Sequence, residues 1–491
     1  MDLDVHQEFG RIGNWINGQH AVASSASYEH VYSPYTGNVI AEVPFSNRGD
    51  LDAAVSAARA AYPAWSNTNI KDRAQVMFKL KALLEQNLQE LGDITALESG
   101  KLPAEARAGI MKGIEVIEFA CSMPNLVAGR TLEVSQGVEC RSIAEPLGVI
   151  ASIVPFNFPS MVPLWTLPIA LTAGNCMILK SSEQVPLSAL KIAEHLQEAG
   201  LPDGVFNVVN GGREIVEGIC DHDDIKAVSF VGSSKVAQLV YSRCAEHGKR
   251  VLALGGAKNH TILMPDADPE SSPKGIVDSA MGCAGQRCMA VSVLVAVGQT
   301  QDLIGKMVSY ANSLKLGEHM GAIINKASLE RINRYIDEAE SMGAEVIVDG
   351  RGKTVDGLED GYWIGPTIID NVSADMPCAC DEIFGPVLSV IRVGSLEEAL
   401  KIENRSPYGN AASIFTSSGE SAKYLSQHAS AGMVGVNIGV PVPREPFAFG
   451  GMNVSKFGHG DITGESGFRF WTQDKKVTVK WIPRKSTTWL D

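Results

Sequence analysis

The chain has 491 residues, 45% of them hydrophobic, and a formal net charge of −14, and because one core stops growing near roughly 250–300 residues, it must build more than one. The acidic balance excludes a nucleic-acid groove or an anionic membrane surface as partner, since both need clustered Lys and Arg, and leaves a small metabolite as the expected ligand. The N-terminal stretch that begins Met1-Asp2-Leu3-Asp4 lacks the basic, apolar and small-residue layout of a secretion signal, and no apolar run reaches the roughly 18 residues of a membrane span. A soluble, cytoplasmic chain is expected. Its nine cysteines are odd in number and scattered, which fits a reducing compartment. Cys378 and Cys380 have no His or second Cys pair at zinc spacing, so no metal site is expected.

In chain order, Leu51 to Trp65 and Arg73 to Leu91 carry apolar residues at spacings of three and four, with Asp50 and Asp72 placed as N-caps. Both read as amphipathic scaffold helices. From Gly148 the pattern becomes short apolar runs separated by helical stretches: Val149 to Val154, Met177 to Leu179, Val205 to Val209 and Ala227 to Val231, with a helix from Leu187 to Glu198. This alternation predicts a parallel sheet covered on both faces. It returns with Val293 to Val297, a helix from Leu329 to Met342, Glu345 to Val348 and Val387 to Val393, which implies a second α/β domain. The tail, Lys475 to Lys480, alternates like an edge strand.

Three segments carry chemistry. Gly285-Gln286-Arg287-Cys288-Met289-Ala290 sets a thiol beside a cation and between small residues, and a stabilised thiolate attacks a carbonyl carbon. A lone cysteine is more often a small buried hydrophobe. Pro155-Phe156-Asn157-Phe158-Pro159 comes after an apolar strand and offers a rigid amide, and Leu254-Gly255-Gly256-Ala257-Lys258-Asn259 reads as a turn. In this order and spacing the segments resemble the aldehyde dehydrogenase superfamily. The cysteine hexapeptide with Gly256-Ala257-Lys258-Asn259-His260 is similar to its methylmalonate-semialdehyde dehydrogenase branch. The resemblance runs from Asn14 to about Trp481 and takes in Lys180-Ser181-Ser182-Glu183, Phe230-Val231-Gly232-Ser233, Glu382-Ile383-Phe384-Gly385-Pro386 and Pro407-Tyr408-Gly409-Asn410.

The resemblance implies an α/β fold: a variant doubly wound NAD-binding domain (1–123 and 145–255), a second α/β catalytic domain (256–458) and a small β oligomerisation arm (124–144 and 468–491). A homotetramer is the expected assembly, with a dimer as the fallback. The usual Gly-x-Gly-x-x-Gly fingerprint is absent. The family uses instead a Gly-Ser turn, here Gly232-Ser233, where the backbone approaches a pyrophosphate at a helix N-terminus; an ordinary strand-to-helix cap would look the same. Lys180 and Glu183 are implied at the adenosine ribose, where a carboxylate favours NAD over its 2′-phosphorylated form. Phe156, Glu382 and Phe384 are implied beside the nicotinamide and its ribose.

For the reaction, the resemblance implies Cys288 as nucleophile, with Asn157 and the Cys288 N–H stabilising the oxyanion. Hydrolytic relatives carry a Glu at the start of a Glu-Leu-Gly-Gly-Lys motif as the base that activates water. Here that position is Ala253 or Leu254, and neither side chain accepts a proton. The acyl group is therefore expected to pass to coenzyme A, with decarboxylation, giving propanoyl-CoA or acetyl-CoA. Substrate carboxylate recognition falls to Arg287 and to Lys112, which stands where relatives carry Arg and lacks the bidentate fork. For Arg287, pairing with a neighbour is the other reading. The rival function is a CoA-independent aldehyde dehydrogenase that acts on another short-chain aldehyde and releases a free acid.

Overall fold

A computed structural model describes residues 3–25 and 27–481. The last ten positions of the expected arm, 482–491, lie outside the described residues. The fold is α/β, organised around two large sheets.

The first sheet has eight strands, in the order Lys456–Gly458, Arg250–Leu254, Ile225–Val231, Val149–Ile153, Cys176–Lys180, Phe206–Val208, Asn14–Ile16 and Gln19–Ala21. From Arg250–Leu254 to Phe206–Val208 neighbouring strands are parallel; the outer ones are antiparallel. Val149–Ile153 and Cys176–Lys180 are buried at every residue, which is why they read as unbroken apolar runs rather than alternating ones. Lys456–Gly458, although late in the chain, returns to pair with the edge of this first sheet.

The second sheet has seven strands, in the order Glu345–Val348, Thr367–Asp370, Val387–Val393, Val291–Val297, Asn259–Leu263, Ala411–Phe415 and Met433–Val436. All but the first pair are parallel. Four residues separate Leu254, at the carboxyl end of a first-sheet strand, from Asn259, at the amino end of a second-sheet strand. The carboxyl edge of one sheet therefore adjoins the amino edge of the other. A third, antiparallel sheet of Thr472–Lys480, Val138–Pro146 and Arg130–Ser135 forms the arm, with the tail strand on its edge.

Two expectations for the N-terminal helices need correction. The first helix spans Arg48–Asn67 and is capped by Asn47, whose side chain accepts from Gly49 and Asp50 while Asp50 answers as the third helical residue of a capping box. Asp50 is thus inside the helix. The second begins after Asn69, not Asp72, and ends at Gln86. Asn87 turns its amide back onto the Leu83 carbonyl, breaking what reads as one helix into Ile70–Gln86 and Leu88–Ser99.

Candidate active site

The junction of the two sheets gathers the sequence motifs. Val149–Ile153 lies between Ile225–Val231 and Cys176–Lys180, both of which come after it in the chain, so the sheet reverses direction there. Ligands bind outside the carboxyl ends at such a switch point. Those ends carry Phe156 and Asn157, Lys180, and Gly232 with Ser233. From the second sheet come Cys288, three residues before Val291–Val297, and Glu382 to Phe384, just before Val387–Val393. Phe156 and Phe384 meet edge to face, ring centres 5.7 Å apart.

On the first-sheet side, buried Lys180 donates to Glu183 at 2.9 Å. Burial alone would raise the Glu183 carboxyl, but attraction to Lys180 and the hydrogen bond from it outweigh this and hold it below the usual range. The Glu183 carboxylate is thus set to accept hydroxyl hydrogens. At Gly232 a Cβ would stand 2.6 Å from the Phe230 ring, so the turn needs glycine. Ser233 is the N-cap of Ser234–Glu246 and makes no side-chain cap bond, which leaves its hydroxyl available to an anion at that helix end.

The thiol side is built differently. Cys283, Ala284 and Gly285 all have left-handed φ (54°, 50° and 70°), an arrangement that costs energy at the two non-glycine positions and marks a shape imposed by its surroundings. Glu105 holds this turn by accepting from Cys283 N at 2.6 Å. Gly285 sits where a Cβ would strike the Gly385 carbonyl. Asn157, buried, donates to the Gln286 carbonyl at 3.1 Å, tying the amide to the cysteine loop and leaving its second N–H for an incoming oxygen.

Two residues of the motifs acquire roles that the sequence alone did not assign. Asn259 and Asn410 both donate to the Cys288 carbonyl, at 2.8 and 2.9 Å. This double clamp fixes the peptide on the carboxyl side of the thiol. Asn410 is 122 positions away, so local reading has no means of pairing it with the cysteine. The available signal is that an Asn at a strand start tends to spend its amide on backbone groups.

The electrostatics differ from the expectation of a cation-stabilised thiolate. Burial, then Glu382, push the Cys288 thiol up to about 12, against opposing pulls from its own backbone bond, Arg287 and Lys101. Desolvation wins because a neighbour in sequence need not be a neighbour in space. Arg287 donates to the Asp278 and Ser279 carbonyls at 2.5 and 3.0 Å, capping the end of Ser271–Met281. Lys112, on Pro103–Leu126, donates to Glu115 at 2.6 Å.

Glu382 accepts from Ala257 N at 2.9 Å and is raised, mainly by burial. A Cβ on Gly256 would strike its other oxygen, so that glycine makes room for the carboxylate. Lys258, beneath it, donates to the Cys378 carbonyl at 2.8 Å and is lowered to about 8 by burial. Ala253 and Leu254 are buried in the first sheet with apolar side chains. Among the described residues no three His, Cys, Asp or Glu side chains gather as a metal site.

A partly buried thiol with a clamped backbone, an amide tied to its loop and a sheet switch point beside it make up the candidate site of an α/β enzyme. The chain belongs to the aldehyde dehydrogenase family, whose description matches residues 21–477. It is 45% identical to malonate-semialdehyde dehydrogenase 1 of Geobacillus thermodenitrificans, over 95% of this chain and 98% of that protein. With malonate-semialdehyde dehydrogenase of Pseudomonas aeruginosa it shares 44% identity, over 97% and 98%. Among solved structures, a Sinorhizobium meliloti protein complexed with NAD superposes with a TM-score of 0.96 at 40% identity, covering 98% of this chain and 99% of that one. Methylmalonate-semialdehyde dehydrogenase of Oceanimonas doudoroffii superposes with a TM-score of 0.95 at 43% identity, covering 97% and 99%.

Proposed function

We propose that this enzyme oxidises a short anionic semialdehyde, malonate or methylmalonate semialdehyde, through a thioester on Cys288, and delivers the acyl group to coenzyme A. The observation that carries the CoA step is the buried apolar pair Ala253 and Leu254 at the position where hydrolytic relatives hold their base. The names of the malonate- and methylmalonate-semialdehyde dehydrogenase relatives support the substrate class.

In this reading Cys288 loses its proton to solvent and its sulfur bonds the aldehyde carbon. Asn157 and the Cys288 N–H donate to the resulting oxygen, which carries more negative charge than the carbonyl it came from. Asn259 and Asn410 keep that N–H aimed by holding the next carbonyl. NAD, when bound, supplies the hydride acceptor. Lys180 and Glu183 would hold its adenosine ribose, Gly232 and Ser233 its pyrophosphate, and Glu382, Phe156 and Phe384 its nicotinamide end; the Glu183 carboxylate fits hydroxyls and repels a 2′-phosphate. The substrate's carboxylate departs as carbon dioxide and its α-carbon takes up a proton from solvent; the CoA thiolate then bonds the acyl carbon and Cys288 leaves as thiolate, giving acetyl-CoA or propanoyl-CoA. Arg287 and Lys112 are the cations proposed for that carboxylate, and each would have to exchange its present partner for it.

A second reading, release of a free acid, has one observation in its favour: Glu382 is a raised carboxylate close enough to act on the thiol's charge. The assembly proposed is a homotetramer, or a dimer, with exposed Leu132, Val134 and Ile143 on the arm as apolar surface for a second copy. The proposed domains are the NAD-binding domain (1–123 and 145–255), the catalytic domain (256–458) and the arm (124–144 and 468–491), and nine free cysteines support a cytoplasmic location. No described helix is long and apolar enough to cross a membrane.

The deciding experiment measures NADH from both semialdehydes with and without CoA and identifies products by mass. CoA-dependent turnover giving acetyl-CoA or propanoyl-CoA is expected. Free acid at an undiminished rate without CoA would overturn the acyl-transfer step in favour of the second reading.

A further inference from the structure

Lys101 comes after the Leu88–Ser99 helix in a short loop and would ordinarily read as a solvated surface charge. It is instead buried, only 3% exposed. Its nitrogen forms no ion pair among the described residues and lies over the Phe158 ring, 4.0 Å from its centre. The two acids nearest in sequence are committed elsewhere: Glu98 accepts from Leu187 N and Ser188 N, and Glu105 gives one oxygen to Leu102 N and the other to Cys283 N. A buried ammonium without a counter-ion is costly to keep.

Two chains of contact join the Lys101 segment to the cysteine loop. Phe158 adjoins Asn157, whose amide holds the Gln286 carbonyl, two residues before Cys288. Gly100 O accepts from Ala322 N, and Ala322 O accepts from the Gln286 side chain. Tyr35 donates to the Lys101 carbonyl, and Gly321 lets the Lys101 backbone approach where a Cβ would stand 3.1 Å from its Cα. Phe158 and Cys288 pack on the same apolar cluster. The lysine is thus locked at both main chain and side chain.

We propose that Lys101 is the fixed counter-charge of the Cys288 site: its ammonium, held against Phe158, stabilises the thiolate before attack and the oxyanion after it. The other cation at the loop, Arg287, turns one terminal nitrogen to two helix carbonyls, and Glu382, with Lys258 and Arg331 around it, adds negative charge. Lys101 opposes that charge and the burial of the sulfur. It is a positioning residue of the electrostatic kind, acting across the aromatic wall rather than by touching the reacting atoms.

The proposal rests on Cys288 being the nucleophile but not on the identity of the aldehyde or on CoA, so its test uses neither. Iodoacetamide alkylation of Cys288, a reaction in which the sulfur displaces iodide, is monitored against pH by peptide mass in wild type, Lys101→Met and Lys101→Arg. Lys101→Met keeps the stem and loses the charge, and is expected to slow alkylation at pH 8 about tenfold, the equivalent of a one-unit rise in the thiol's pKa. Lys101→Arg is expected to restore most of the rate. Should the Met variant not fold, as judged by its thermal transition, Lys101→Gln takes its place with a polar head. A neutral variant that folds and alkylates along the wild-type pH curve would overturn the proposal, as would a folded Lys101→Arg as slow as the neutral variant.

Discussion

The two walls of the cleft are made on opposite electrostatic principles. On the first-sheet wall the charges are already satisfied: Lys180 meets Glu183, whose carboxyl is held low and ready to accept. On the second-sheet wall three groups are pushed away from their charged forms, the Cys288 thiol and Glu382 raised and Lys258 lowered, each chiefly by burial. With the roles proposed above, the contrast teaches that recognition is preformed while reactivity is withheld. A permanently ionised thiol would be exposed to adventitious electrophiles and oxidants, whereas a protonated one is inert until something offsets its burial.

The comparison can be broken most severely at the sulfur. Cys288→Ala is expected to lower NADH formation at least about a thousandfold while NAD binding, measured by fluorescence titration, stays within twofold; turnover that persisted would remove the thiol wall from the chemistry. Asn157→Ala should lower kcat about 10²–10³-fold, the range for one oxyanion donor, with a smaller change in KM. A change confined to KM would make Asn157 a binding residue only.

The pH dependence sharpens the same point. The reactive species is the thiolate and the thiol's folded value is raised to about 12, so its ionised fraction grows as pH rises and is never complete in the working range. Cys288 alkylation without ligands should therefore rise about tenfold per pH unit from 7 to 9 with no plateau. A plateau by pH 8 would mean that the resting thiol is not raised. On the other wall, Glu183→Ala should weaken NAD about tenfold, as expected for losing a charge-assisted hydrogen bond, with kcat at saturation little altered; an equal loss in kcat would erase the distinction between the walls.

The legible and illegible parts of the chain divide along the range of the interactions. Val149–Ile153 and Cys176–Lys180 were readable because strands buried on both faces are nearly continuous apolar runs, a signal that needs no partner. The helix starts at Asn47 and Asn69 were misplaced by three residues because an Asp in the first turn competes with the true cap for the same signal. The site motifs are legible in the sequence, but not their wiring. Arg287 is adjacent to Cys288 in the chain, yet its guanidinium turns to the carbonyls of Asp278 and Ser279. Asn410, far off in sequence, reaches the cysteine loop only because the strand Ala411–Phe415 starts there, and Lys101 meets Phe158 just past the end of the Leu88–Ser99 helix.

The central claim is that the acyl group waits on Cys288 for coenzyme A. Its most direct test is mass analysis of the enzyme after mixing with NAD and malonate or methylmalonate semialdehyde, first without CoA and then with it. The account predicts an acyl adduct on the Cys288 peptide that accumulates without CoA and disappears when CoA is added, with acyl-CoA appearing in equal amount. Absence of the adduct together with steady release of free acid would contradict it.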